Sequence, residues 1–487
     1  MVNDKQFIIS KVPVVAFDSW KEIPLTGGYS LYYQKDLNII FQNPSIILLG
    51  YAWQIDPNRQ SPQEELHKLC QQKHITHEDV YEIEKSWCGR YILIVGEWIY
   101  MDACGTLGVF YSDQNVSSSL NVLCTLENRN VIFPDIVHRK SPDFLPGMRT
   151  TYDNVLRLLP SQLLNYITKK TKIRPLLIDK APKCDTEEEL IKVFNRYIIN
   201  SAQNLSKTFP RHHLWIAMTG GRDSRLTLAC CEKSGIKYDI FTLWHEHISS
   251  ADHVIPHKLA KAIGRKLHFI KRNQNLFSQK RYDDYKTHTA GMAVDEDWNF
   301  YAYYQYQSLI EDNQPIVIIR SCVYEIPENI YKSDFGEGAN DITVVYKGIL
   351  KNDLFYKSCM EWKSYAESIE NETLNNSISF LDKMYWDLRC GSWLSSVEQS
   401  FDMMEGITSL QMANSRLLIS IMYGFDADQR FQRLHEEKIT NTLCPAFAKI
   451  PYDYQYESFN QWLSKVKIRV KRFVKQCVEK VLRRSER

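Results

Sequence analysis

The segment LWIAMTGGRDSRLTLA, residues 214–229, constrains the fold of this chain more than any other feature. Leu214 to Met218 is a short uninterrupted apolar run, which is typical of a strand buried on both faces. Gly220 and Gly221 end the run, and apolar residues return at helical spacing after the charged group Arg222 to Arg225. A strand, a glycine turn and a helix in this order predict one unit of a parallel α/β sheet.

The flanking sequence repeats the same pattern. Asp185 precedes three acids that favour the first turn of a helix, and apolar residues then recur at helical spacing. After the glycine turn come a second strand-like run at 238–243, a helix at about 250–263 and a third strand at 266–270. Residues 281–310 and 350–440 are predicted to be mostly helical.

Residues 1 to about 175 are strand-rich in a different way. Short β-branched and aromatic runs such as YSLYY, NIIFQ and RYILIVGEWIYM are separated by Gly, Asn and Asp. A helical segment from Pro62 to Lys85 interrupts them, which indicates antiparallel sheets with a few helices. With 487 residues the chain exceeds an ordinary single core, and a boundary is expected near residues 176–184.

The glycine turn has the chemistry of an anion site. Ligands of open α/β sheets bind at the carboxyl ends of strands, glycine lets the backbone approach a ligand, and a helix N-terminus offers unpaired N–H groups. We predict that phosphate is bound by Thr219, Gly220, Gly221, Arg222 and Ser224. Asp223 would hold Mg²⁺ between phosphates. The alternative is a tight turn with surface charges, and a Walker P-loop pattern is absent.

TGGRDSR resembles the SGGxDS loop of the adenylating PP-loop ATPases and, more narrowly, of the asparagine synthetase family. RSCVYEIPENIY, residues 320–331, resembles that family's GADE-like segment, with Glu325 matching its acid. SWCGRYILIVGEWIYMDACGTLGVFYS resembles the amidotransferase domain. The resemblance implies an Ntn-hydrolase-like α+β sandwich over residues 1–178, then a PP-loop (adenine nucleotide α-hydrolase-like) parallel α/β domain with a helical C-terminal part over residues 179–456.

The N-terminal domain departs from an active glutamine amidotransferase of this type. Such a domain begins with a nucleophilic cysteine, whereas Val2 follows Met1 here and the nearest cysteine is Cys70. We therefore expect this domain to be inactive toward glutamine. The nitrogen would come from ammonia or from an amine-bearing substrate.

The resemblance implies an ATP-dependent, AMP-forming amide ligase that uses ATP and Mg²⁺. A substrate carboxylate would be adenylated with release of pyrophosphate, and an amine would then displace AMP. Thr242 or its neighbours would contact the nucleotide through the backbone. The expected substrate is a carboxylate on a sugar or other small metabolite, with surface polysaccharide biosynthesis as one setting.

Four further residues are candidates for catalysis. Glu325 would position the amine or accept its proton, with Tyr331 nearby. A cation near the acyl oxygen is expected among Arg430, Arg433 and Lys438, of which Arg430 and Lys438 are preferred; the alternative is a solvated helix face. Asn414 stands where the family has an aspartate-containing segment, which argues against free aspartate as the substrate.

The last segment, residues 457–487, is predicted to be a basic amphipathic helix. From residue 465 onward it has ten Lys and Arg against two Glu, with apolar residues every three or four positions. One reading is attachment to an anionic membrane surface, another is a helix packed on the body, and nucleic acid is disfavoured. No run of about 18 apolar residues is present, so a cytoplasmic protein is expected, peripheral on the inner face of the membrane if the tail binds lipid.

Two other functions stay open. One is a catalytically silent nucleotide-binding scaffold, which the missing cysteine favours and the complete TGGRDS motif disfavours. The other is a PP-loop enzyme that modifies tRNA, which the basic tail favours and the lack of a CxxC pair disfavours.

Overall fold

A computed structural model describes most of the chain. The described residues are 5–14, 19–130, 144–176, 181–244, 250–271, 278–280, 305–328, 330–331, 353–372 and 378–456. The candidate inter-domain boundary at 178/179, the Met1–Val2 N-terminus and the basic tail at 457–487 lie outside them.

Twelve strands in the first part of the chain form two six-stranded antiparallel sheets. The first sheet has the order β10-β8-β9-β1-β3-β2 and the second has the order β12-β11-β7-β6-β5-β4. Their bounds are Phe7–Ser10 (β1), Lys21–Pro24 (β2), Ser30–Tyr33 (β3), Ile39–Gln42 (β4), Ile46–Gln54 (β5), Trp87–Val95 (β6), Trp98–Met101 (β7), Phe110–Tyr111 (β8), Val116–Ser117 (β9), Leu156–Arg157 (β10), Gln162–Asn165 (β11) and Thr171–Ile173 (β12).

The two antiparallel sheets pack face to face. Ile47 and Leu49 of β5 lie in one apolar cluster with Leu31 of the first sheet. Ile46 and Leu48, which alternate with them, belong to a cluster on the other face of the second sheet. Side chains alternate across a strand with a period of two, so β5 is buried on both faces. The α+β sandwich is therefore present, whereas its kinship to Ntn hydrolases stays a prediction.

Three helices accompany these sheets. They are Pro62–Leu69 (α1), His77–Glu84 (α2) and Leu120–Leu126 (α3). The segment predicted as one helix from Pro62 to Lys85 is therefore two, and each begins with its own capping box, at Ser61 and at Thr76.

A five-stranded parallel sheet forms the centre of the second part, as the sequence predicts. Its order is β15-β14-β13-β16-β17, with bounds His213–Ala217 (β13), Asp239–Trp244 (β14), Leu267–Lys271 (β15), Ile316–Arg320 (β16) and Ile407–Gln411 (β17). The chain adds β14 and β15 on one side of β13 and then β16 and β17 on the other. The strand order thus reverses between β13 and β16, where open α/β sheets bind their ligands.

Helices surround the parallel sheet. Thr186 caps the first of them through its side chain. The bounds are Glu187–Thr208 (α4), Arg222–Ser234 (α5), Ser250–Ala262 (α6), Asp353–Glu372 (α7), Phe380–Met384 (α8), Ser395–Ser400 (α9), Arg416–Met422 (α10), Ala427–Phe431 (α11) and Leu434–Leu443 (α12), with a π-helical stretch at Tyr385–Leu394. The predicted helical region 350–440 therefore also contains a buried strand, β17.

The two parts share one continuous apolar core. Trp53 and Cys88 of the second antiparallel sheet belong to the same cluster as Phe194 of α4 and Ile216 of β13. None of the described helices combines the length and apolar character needed to cross a bilayer.

Candidate active site

The turn after β13 is organised by its own hydroxyl groups. Thr219 Oγ1 lies 2.9 Å from Ser224 Oγ, and the Gly221 N–H donates to Thr219 Oγ1 at 3.3 Å. Gly221 is the N-cap residue of α5 and its position provides no side-chain capping bond. The first turn of α5 therefore has N–H groups and the positive end of the helix dipole directed out of the helix, which favours a bound anion.

Gly220 is held closely by neighbouring elements. Its N–H donates to Asp252 Oδ1 at 2.5 Å, and its carbonyl oxygen accepts from the Asp453 N–H at 3.2 Å. A Cβ at this position would lie 3.2 Å from the carbonyl carbon of Ala251, so a glycine fits best. The Asp252 carboxylate, in the first turn of α6, occupies one of the donors that the sequence assigns to phosphate.

The two arginines of the turn have different environments. Arg222 Nε donates to Glu437 Oε1 at 2.8 Å, and its side chain is 14% exposed. Arg225 is fully buried and donates to the backbone carbonyls of residues 450 and 451. Arg222 therefore lies at the open end of α5, whereas Arg225 ties the helix to the following chain.

One arginine, Arg433, connects Asp223 to a cluster of buried glutamates. Arg433 Nη2 lies 2.7 Å from Asp223 Oδ1. The same guanidinium contacts Glu328 Oε2 at 2.9 Å through Nε and Glu436 Oε2 at 3.1 Å through Nη2. Arg433 thus joins the glycine turn, the segment after β16 and α12.

Glu325 lies in the segment that follows β16, next to the glycine turn across the switch point of the sheet. The Tyr385 hydroxyl donates to Glu325 Oε2. Tyr331 packs on Tyr385 with ring centroids 5.5 Å apart. The structure thus brings Glu325 and Tyr331 together at the edge where the sequence places them.

Burial sets the electrostatics of this cluster. Burial, with the charge of Asp223, raises the pKa of Glu325. Burial, with the charge of Glu436, raises the pKa of Glu328 well above its ordinary value, and burial raises the pKa of Glu436 to about 8. Burial opposes the charge on Arg433, but the carboxylates around it outweigh burial and raise its pKa. Buried carboxyl groups with raised pKa values can act in acid–base chemistry.

The preferred cations of the sequence prediction lie elsewhere. Arg430 donates to the carbonyl oxygens of Phe425 and Pro327. Lys438 forms an exposed ion pair with Glu187, 2.6 Å from its Oε1, at the start of α4. Within the described part of the chain, neither forms a hydrogen bond or ion pair with Asp223 or Glu325, and their catalytic roles stay predictions. Thr242 is buried in β14, where it pairs with Phe269 of β15.

A cleft of about 1150 Å³ lies at the opposite end of the parallel sheet. It is lined by His213 and Asp239, the first residues of β13 and β14, together with Arg265. It is therefore separated from the glycine turn by the length of the strands.

Comparisons with known proteins find distant similarities. No family model matches the chain, and no curated protein matches it. Solved structures that match include a glutamine-dependent NAD⁺ synthetase from Acinetobacter baumannii in complex with ADP, which is 16% identical with a TM-score of 0.21; the match covers 32% of this chain and 29% of that one.

Two further solved structures match comparable parts of the chain. The NH3-dependent NAD synthetase from Campylobacter jejuni is 12% identical with a TM-score of 0.22 and covers 41% of this chain and 93% of its own. The NMN synthetase from Francisella tularensis is 17% identical with a TM-score of 0.21, and the match covers 52% of this chain and 97% of that one. Scores this low do not establish a common fold, so the site is interpreted from its own residues.

Several residues of the cluster escape sequence reasoning. Glu328, His435 and Glu436 were not predicted, and Arg433 ranked below Arg430 and Lys438. Weak signals exist: Glu328 follows Glu325 by three residues, and His435 and Glu436 belong to an HEE run. Such spacings are common on solvated helices, so they become informative when burial is known.

Proposed function

We propose that this chain is an ATP-dependent, AMP-forming ligase that joins a substrate carboxylate to ammonia or an amine. The observation that carries the proposal is the uncapped start of α5 at the switch point of the parallel sheet, directly beside the acidic cluster. An anion-binding helix terminus and carboxylates that can hold a cation then stand side by side.

The residues of the turn fit a bound triphosphate. A Cβ added at Gly221 would contact Thr219 Oγ1 at 3.5 Å and Asp453 Oδ2 at 3.7 Å, so a ligand at this backbone would lie beside a hydroxyl and a carboxylate. The Gly221 and first-turn N–H groups, Arg222 and Ser224 would hold phosphate oxygens. Gly220 could add its N–H if the Asp252 carboxylate moved away.

The carboxylates fit Mg²⁺, which prefers oxygen ligands. Asp223 is 19% exposed, and its Oδ1 accepts from Arg433. Asp223 would hold the ion together with phosphate oxygens, and Arg433 would share or release the carboxylate. When bound, Mg²⁺ and ATP supply a leaving group that makes the substrate carboxylate electrophilic.

Glu325 and Tyr385 would handle the proton of the attacking amine. Glu325 Oε2 accepts a hydrogen bond from the Tyr385 hydroxyl, which fixes the orientation of the carboxylate. A carboxylate with a raised pKa is a better proton acceptor near neutral pH. The nitrogen proton would pass to Glu325 as the C–N bond forms.

The substrate side of the proposal rests on sequence. We assign the substrate to carboxylates on sugars or small metabolites, and the basic residues of 465–487 to an anionic membrane surface. Full-length protein should sediment with vesicles containing anionic lipid and not with neutral vesicles. Equal sedimentation of a chain ending at residue 456 would remove the membrane assignment.

A silent nucleotide-binding scaffold is the second candidate. Two observations favour it. The Gly220 N–H already donates to the Asp252 carboxylate, and the Asp223 carboxylate already accepts from Arg433. In a ligase these contacts must yield to substrate, whereas in a scaffold they can persist.

ATP–pyrophosphate exchange with a panel of carboxylic acids separates the two. We expect exchange that depends on one acid and falls at least about 100-fold in Asp223→Asn, because the charge that neutralises the metal is lost. Asp239→Asn, at the opposite end of the sheet, is the matched control and should retain exchange. Tight ATP binding without exchange would favour the scaffold, and absence of ATP binding would refute both.

A further inference from the structure

Three side chains behind Arg433 form a compact group of metal-ligating type. Glu328, His435 and Glu436 each place one ligand atom within 4.8 Å of the others. Their exposed fractions are 1%, 0% and 0%. They come from the turn Ile326–Glu328 and from the first turn of α12, so two separate elements converge here.

The polar atoms of this group lack hydrogen-bond partners. Arg433 lies against the Oε2 atoms of both glutamates, and the Asp223 carboxylate lies within hydrogen-bond reach of the Glu436 carboxyl, while Glu328 Oε1 and Glu436 Oε1 have no other partner. The Gln429 backbone is a hydrogen-bond partner of the His435 ring, which leaves the other ring nitrogen without one. An unsatisfied buried polar group costs about 1–3 kcal/mol, so three such atoms in one place require compensation.

A single cation would satisfy these three atoms, since an imidazole ring gives one metal ion only one of its two nitrogens. Glu328 Oε1 lies 3.9 Å from His435 Nε2. Metal–ligand bonds of about 2.1 Å place neighbouring ligand atoms about 3.0–3.4 Å apart, so this pair must approach by less than about 1 Å and a pair at the limit of 4.8 Å by about 1.4–1.8 Å. Imidazole combined with carboxylate favours first-row transition metals, whereas Mg²⁺ and Ca²⁺ prefer oxygen throughout.

We propose that Glu328, His435 and Glu436 bind one divalent transition-metal ion with the ligand preferences of Mn²⁺ or Zn²⁺. This site is separate from that of any Mg²⁺ bound to a nucleotide. The ion binds the free Oε1 atoms and one nitrogen of His435, while Arg433 retains the Oε2 atoms. Its role is to fasten the turn that carries Glu325 to α12. The proposal stands independently of the ligase activity.

Metal analysis of the full-length, tag-free protein tests the site without nucleotide. After chelation, the protein is incubated with MnCl₂, ZnCl₂ or MgCl₂ and desalted, and metal content and thermal midpoint are measured. We expect about one retained Mn²⁺ or Zn²⁺ per chain, a raised midpoint, and no comparable effect of Mg²⁺. Glu328→Gln and His435→Gln should weaken the affinity at least about 10-fold.

Glu398→Gln is the matched control. Glu398 is also fully buried and paired with an arginine, Arg320, at 3.0 Å, but it lies outside the metal-ligating group. This variant should retain the metal even if it is less stable. The proposal is overturned if the wild type retains neither metal and shows no midpoint shift, or if the Glu328 and His435 variants retain as much metal as the control. Either result would mean that protons compensate the buried carboxylates.

Discussion

The buried ion pair between Arg90 and Asp402 should strongly stabilise the contact between the antiparallel sandwich and the second part of the chain. Arg90 of β6 donates to Asp402 through two bonds, Nη1 to Oδ1 at 2.7 Å and Nη2 to Oδ2 at 2.6 Å. The side chains are 3% and 1% exposed. Asp402→Ala would therefore leave a guanidinium that water cannot reach.

The magnitude follows from this geometry. Each charge-assisted hydrogen bond contributes about 1.5–3 kcal/mol, and removing one partner of a buried pair costs about 3–5 kcal/mol. We expect Asp402→Ala to lower the free energy of unfolding by about 3–5 kcal/mol. The double variant Arg90→Met with Asp402→Leu should recover most of that loss, because no buried charge remains.

Urea denaturation followed by tryptophan fluorescence measures the effect. The matched control is Arg149 with Glu361, which also joins the same two parts through two hydrogen bonds, from Nε and Nη2, but has exposed fractions of 34% and 40%. Glu361→Ala should cost less than about 1 kcal/mol. The reasoning is refuted if Asp402→Ala costs no more than this control, or if the double variant is less stable than the single one.

Three further predictions concern other buried positions. The Asp387 carboxylate accepts from Ser161 and Trp362, and burial raises its pKa from 3.8 to about 6. The protonated carboxyl stabilises the fold fully below pH 3.8, and this stabilisation is lost as pH rises through 6. The free energy of unfolding of the wild type, measured at each pH, should therefore fall by about 3 kcal/mol over this window, and that of Asp387→Asn should not. An equal decline in the variant would contradict this. Gly89→Ala should cost more than about 3 kcal/mol because its φ is +139° and its Cβ would overlap the Tyr51 carbonyl. Gly96→Ala, in open space at φ +56°, should cost about 1–2 kcal/mol, and equal thermal shifts of the two alanine variants would disprove the steric argument.

Local sequence determined much of the architecture. The apolar run at 214–218 followed by glycines and a charged turn correctly predicts β13, its turn and α5, because burial on both faces and helix initiation are encoded within a few residues. The uninterrupted apolar run Ile46 to Leu49 of β5 likewise reflects burial on both its faces. Strand β17 escapes prediction because ITSLQ is short and mixed in polarity, and its place in the sheet depends on pairing with β16.

The composition of the candidate site was decided by tertiary structure. Sequence alone placed Asp223 and Glu325 at the carboxyl edge of one parallel sheet, since their segments follow strands. It could not distinguish Arg433 from Lys438, which lie five residues apart in a segment that the sequence predicts to be helical. In the structure Arg433 is the N-cap residue of α12, with φ +59°, whereas Lys438 lies within the helix. The packing of α12 directs Arg433 to Asp223 and leaves Lys438 in an exposed pair. Sequence fixes which side chains can share a helix face, and packing against distant parts of the chain fixes which face is buried.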